Sequence, residues 1–119
     1  MNEQKFRAVI NEKITIHFTL LSLINPLFSI RNFVIPWLEA GGIPDRCIEK
    51  KDKNGKEIYE GDKFLINIGK GVQAIDTIVF EYPSWKGQPV DGSRYTLFKY
   101  MISDIEIIGN IHEGESNEH

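Results

Sequence analysis

At 119 residues, with 14 lysines and arginines against 17 aspartates and glutamates, the chain suits one domain. It lacks the basic excess on which general nucleic-acid binders rely. Its one cysteine, Cys47, excludes an intrachain disulfide and fits a reducing, cytoplasmic setting.

The opening residues, Met1 to Arg7, hold no apolar run of the secretory kind, so no signal peptide is expected. The first predicted element is a β-hairpin: Phe6–Ile10, a polar turn at Asn11-Glu12-Lys13, then Ile14, Ile16, Phe18 and Leu20 alternating with Thr15, His17 and Thr19. His17 falls on the polar face of that alternation, where it reads as a solvated strand residue. The most apolar stretch, Ile14 to Leu38, is interrupted by His17, Asn25, Pro26, Arg31, Asn32 and Pro36, so no membrane span is expected. Leu27, Ile30, Val34 and Leu38 lie at helical spacing. Pro36 predicts that such a helix breaks or ends near Val34, because the residue before a proline avoids the helical region. Gly41-Gly42 stops the segment. Its Phe28, Phe33 and Trp37 are more apolar surface than a loop should carry. The segment either covers an open end of the β-domain, the preferred reading, or forms a self-association face.

Asp45–Glu49 reads as a short strand. Asn54-Gly55 and Glu60-Gly61-Asp62 are successive turns around Glu57-Ile58-Tyr59. Lys63–Ile68 then places Phe64, Ile66 and Ile68 on one face, Gly69-Lys70-Gly71 turns the chain, and Val72–Tyr82 is a long strand. Pro83–Ser93, with two prolines and two glycines, is expected to be a loop. Arg94–Ile102 and Asp104–Ile111 are two further strands, the second with Ile105, Ile107 and Ile111 inward and Asp104 and Glu106 outward. Residues 1–112 make one predicted domain, and the polar residues 113–119 a disordered tail. Short strands parted by Gly-, Pro- and Asn-containing turns predict a mainly β fold. The expected form is a small antiparallel SH3-like barrel with an N-terminal hairpin and a partly helical apolar connection.

Lys51-Asp52-Lys53-Asn54-Gly55-Lys56-Glu57-Ile58-Tyr59-Glu60-Gly61-Asp62 resembles the central signature of the YopX family, small proteins encoded by phages and prophages. Ile105-Glu106-Ile107-Ile108-Gly109-Asn110-Ile111-His112-Glu113 is similar to that family's closing strand, and Lys5-Phe6-Arg7-Ala8 to its opening. The resemblance implies an SH3-type β-barrel and a phage or prophage origin, but no activity. Two departures stand out. Val9 sits where the family usually has a tryptophan, and Ile48-Glu49 where it commonly has Thr-Gly.

No pattern here predicts an enzyme. Cys47 has no histidine beside it and reads as a packed thiol. His17, His112 and His119 are scattered, so neither a metal nor another cofactor is expected. Glu57, Glu60 and Asp62 are explained by turn chemistry, and Asp104 and Glu106 by a solvated strand face. Gly69-Lys70-Gly71 precedes a strand, whereas a phosphate loop needs a helix after it. The charges of Lys50, Lys51, Lys53 and Lys56 are offset by Glu49, Asp52 and Glu57. The remaining candidate is an interaction surface of Tyr82, Trp85, Lys86 and Arg94, with Tyr95 beside it, since aromatics interleaved with cations stack bases or anchor proteins. Trp85 is there either a partner anchor or a plug over the barrel mouth. The expectation is a cytoplasmic, phage-encoded accessory protein of the bacterial host cell that binds an unknown host or phage protein, or assembles as a homo-oligomer. The alternative is a nucleic-acid-binding module using Lys63, Lys70, Lys86 and Arg94 near Trp85.

Overall fold

The computed structural model describes residues 3–24, 29 and 31–113. The chain forms two compact units, Met1–Cys47 and Ile48–His119, and the division falls inside the third strand.

In the first unit, β1 (Lys5–Asn11) and β2 (Ile14–Thr19) form the expected hairpin. The side chain of Asn11 closes its turn by accepting the N–H groups of Lys13 (2.8 Å) and Ile14 (3.0 Å). Phe6 and Phe18 face each other across the pair with rings stacked at 5.4 Å. The strand stops at Thr19. Thr19 and Ser22 exchange side-chain and backbone hydrogen bonds there, which start α1 (Leu20–Ile24), so Leu20 is helical and exposed. A second helix, α2 (Arg31–Glu39), continues through Pro36 instead of ending near Val34. Proline removes one N–H from the helix. The fully buried Val34, with Trp37 and Leu38 packed on the same core, holds the helix on course past that gap. Ala8, Phe18, Leu23 and Val34 are the centre of this core. The expectations for Leu27, Phe28 and Ile30 lie outside the described residues.

The third strand, β3 (Asp45–Lys51), pairs with β1 only at Phe6–Arg46 and Arg7–Asp45. Those last two side chains form a buried ion pair, with Arg7 Nη2 2.9 Å and Nε 3.0 Å from Asp45 Oδ2.

In the second unit, β3 continues beside β4 (Glu57–Tyr59). A five-stranded antiparallel sheet follows, built from β5 (Asp62–Gly69), β6 (Val72–Glu81), β7 (Ser84–Gln88), β8 (Tyr95–Thr96) and β9 (Glu106–Asn110) in the order β8-β7-β6-β5-β9. A one-turn helix, α3 (Lys99–Ile102), precedes β9. Ile58, Phe64, Ile78 and Ile105 are completely buried in its core, each contributing about 1.5–3 kcal/mol of burial. The fold is mainly β and antiparallel, as expected, but no closed barrel is found among the described residues.

Three further expectations change here. Pro83–Ser93 is not one loop, because Tyr82 and Pro83 make a tight connection and Ser84–Gln88 is a strand. Arg94–Ile102 is strand only at Tyr95–Thr96 and then becomes α3. In the last strand, β5 pairs Lys63 with Gly109 but Phe64 with Ile107, so Ile108 bulges out. That extra residue reverses the alternation and leaves Ile111 exposed. Phe64 and Ile66 meet the core as expected, while the expectation for the side chain of Ile68 lies outside what is described. The tail beyond Glu113 also lies outside the described residues. No helix among them is long and apolar enough to cross a membrane.

Candidate functional site

The predicted interaction residues fall on both faces of the five-stranded sheet. Trp85 lies opposite Phe80 on adjacent strands, their rings edge-to-face with centroids 4.9 Å apart. Both are on the inner face, where Trp85 packs against the core of Ile58, Phe64 and Ile78. Lys86, the next residue, points the other way by strand alternation, and its Nζ donates to Thr96 Oγ1 at 3.0 Å. Arg94 Nε donates to Gln88 Oε1 at 2.7 Å, and its Nη1 lies 3.4 Å from Glu81 Oε2. Tyr82 stands 86 % exposed at the β6–β7 turn. The structure therefore brings Tyr82, Phe80 and Trp85 together but puts Lys86 on the opposite face from Trp85.

Trp85 shares its inner face with an acid. Asp76 occupies a buried, inward position of β6 opposite Phe64 of β5, and the Tyr95 hydroxyl donates to its carboxylate. Burial, together with that hydrogen bond and the Asp76 charge, pushes the Tyr95 hydroxyl well above its ordinary pKa of 10.0. The phenol end of the Tyr95 ring lies against Gly87, where any Cβ would collide with it. That is why a glycine is found in the middle of β7.

The turn-rich segment is built around two buried carboxylates. Asp52 Oδ1 accepts the N–H groups of Asn54 and Lys56, both at 2.9 Å, and Oδ2 accepts that of Ile107, also at 2.9 Å. Burial by itself would raise the Asp52 pKa. The three backbone donors and the Lys56 charge outweigh that and hold it below its ordinary 3.8. Asp62 is 1 % exposed and accepts the Tyr59 N–H at 2.8 Å. Gly61, at φ 87°, donates its N–H to Ile78 O (2.8 Å) and accepts that of Ile111 (2.9 Å). Asp62 pairs with Asn110 across β5 and β9. The central and C-terminal segments thus meet directly in space: the Asp52 carboxylate and the Gly61 carbonyl of one accept the Ile107 and Ile111 N–H groups of the other.

The family model described as YopX protein matches residues 50–116, more than half of the chain, including both of these segments. The chain belongs to the YopX family. A search among curated proteins returns no match. The matched span covers nearly all of the second unit, while the opening Lys5-Phe6-Arg7-Ala8 lies outside it. In YopX terms, the departure at Glu49 has a structural meaning. Glu49, which falls just before the matched span and where the resemblance implies a glycine, takes φ 61°, the left-handed region that glycine enters at little cost.

Asp52 and Asp62 of the YopX signature hold backbone N–H groups, which commits their carboxylates to turn and strand ends. Two features were less legible in the sequence. One is the set of exposed apolar side chains on α1 and α2: Leu20 (62 %), Leu21 (60 %), Ile24 (71 %) and Phe33 (58 %). The other is a row formed across three strands by Lys63, Thr77 and Gln88, which are paired in register on the outer face of the sheet. Only strand register could reveal that row, because the residues are distant in sequence.

Proposed function

We propose that this YopX-family chain is a non-enzymatic, phage- or prophage-encoded accessory protein of the host cytoplasm that acts by binding a protein, in the first place another copy of itself. The exposed Leu20, Leu21, Ile24 and Phe33 carry this reading. Leu20, Leu21 and Ile24 lie on one side of a single short helix, and large side chains grouped in this way mark association surfaces. The commitment of Asp52 and Asp62 to backbone donors supports a binding role over catalysis.

The second unit is read as a partly open relative of the SH3-type barrel. Its β5-β6-β7-β8 meander, the helical turn α3, and β9 returning to the free edge of β5 support that kinship. Fold kinship of this kind carries no function.

Light scattering coupled to gel filtration tests the proposal. The expected result is a mass above the 13.7 kDa of one chain that rises with concentration and falls back in Leu21→Glu and Ile24→Glu. A mass of 13.7 kDa for the unaltered chain at high concentration overturns self-association.

A further inference from the structure

The outer face of the five-stranded sheet holds an open groove of about 410 Å³ lined by Lys63, Ile75, Thr77, Gln88, Pro89 and Val90. That volume lies within the roughly 300–1,000 Å³ typical of ligand sites. Lys63 pairs with Thr77 and Thr77 with Gln88, so an ammonium, a hydroxyl and an amide stand in line across three strands. With strands about 4.8 Å apart, the row is roughly 10 Å long. Aliphatic surface borders it: Ile75 is half exposed and Val90 almost wholly so.

The polar groups in the row are disposed as donors. Among the described residues the Lys63 side chain has neither a hydrogen bond nor an ion pair. Gln88 gives its amide oxygen to Arg94 Nε, which leaves its NH₂ as a donor. Among the described residues the Thr77 hydroxyl has no side-chain partner either. Asp91, next to Val90 in the chain, is held by the Ser93 N–H and hydroxyl. Glu81 is paired with Arg94, and Glu106 lies 3.9 Å from Lys53. Lys86 donates to a neutral hydroxyl, and among the described residues neither Lys63 nor Lys86 forms an ion pair with a carboxylate.

We propose that this groove docks an extended acidic segment of a partner protein, a carboxylate side chain bonding to Lys63, Thr77 and Gln88 while its aliphatic neighbours lie on Ile75, Pro89 and Val90. The charge complementarity selects a carboxylate. The apolar border selects a peptide over a nucleic acid, whose backbone would need several cations where the groove lining has one. The site is independent of self-association, since a monomer carries the same groove.

The test is a titration of the ¹⁵N-labelled full chain, followed by amide shifts, with a capped peptide alternating valine and glutamate, its glutamine counterpart, and a short oligothymidylate. The glutamate peptide is expected to shift the amides of Lys63, Thr77 and Gln88. Lys63→Glu should weaken it at least tenfold, about 1.4 kcal/mol. Should that variant fold poorly, raised salt on the unaltered chain gives the same answer by weakening the glutamate peptide alone. No shifts at these amides, equal binding of the glutamine peptide, or tighter binding of the oligonucleotide would each overturn the proposal.

Discussion

Asp52 shows how a single side chain can join two parts of a fold 55 residues apart in sequence. Its carboxylate serves Asn54 and Lys56 locally and Ile107 at a distance. Asp52→Ala leaves these donors without a protein partner, with Ile107 the most deeply buried of the three. The expected loss is roughly 2–4 kcal/mol, read from urea unfolding near neutral pH. Because the native pKa is depressed, the contribution of Asp52 is fully present above the ordinary value of 3.8 and is lost as pH falls through the native value. The stability gap between the unaltered chain and Asp52→Ala should therefore stay constant above pH 3.8 and narrow below it. Glu49 is the opposite case, a residue in a conformation that suits glycine. Glu49→Gly should raise the melting temperature, with a gain of about 1 kcal/mol from relief of the left-handed backbone.

At the scale of elements, local pattern and tertiary packing divided the outcome unevenly. The β1–β2 hairpin was legible because alternation and a self-bonding asparagine turn agree on it. Helix α2 was only half legible, since a proline in its second turn argues for an end that packing overrides. Pro36 is exposed, so Pro36→Ala restores a backbone N–H to the helix without opening the core. A gain of up to about 3 kcal/mol is expected in thermal unfolding of the first unit. Strand β7 was hidden for a different reason. Its proline and glycines look like loop residues, yet Pro83 sits in the turn before it and Gly87 is where the Tyr95 ring must lie. The consequence for the candidate site is direct, because a strand sends Trp85 and Lys86 to opposite faces where a loop could have presented both.

At the scale of the molecule, the described residues form two hydrophobic clusters, one centred on Ala8, Phe18, Leu23 and Val34 and the other on Ile58, Phe64, Ile78 and Ile105. Each contains one of the two tryptophans, Trp37 in the first and Trp85 in the second. Single-tryptophan variants, Trp85→Phe and Trp37→Phe, therefore report on the two units separately. Their fluorescence transitions in urea are expected at different midpoints, and coincident midpoints would show one cooperative fold. The sequence by itself determined the β-rich composition, the turns at Asn54-Gly55 and Gly61-Asp62, and membership of the YopX family, because alternation, turn chemistry and a contiguous signature are local properties. Tertiary structure alone decided that Asp76 faces inward to Tyr95, that Ile111 turns outward past a bulge, and that Lys63, Thr77 and Gln88 line up on one face. These depend on strand register, where a shift of one residue exchanges the faces of a sheet, and register is set by contacts between residues far apart in the chain.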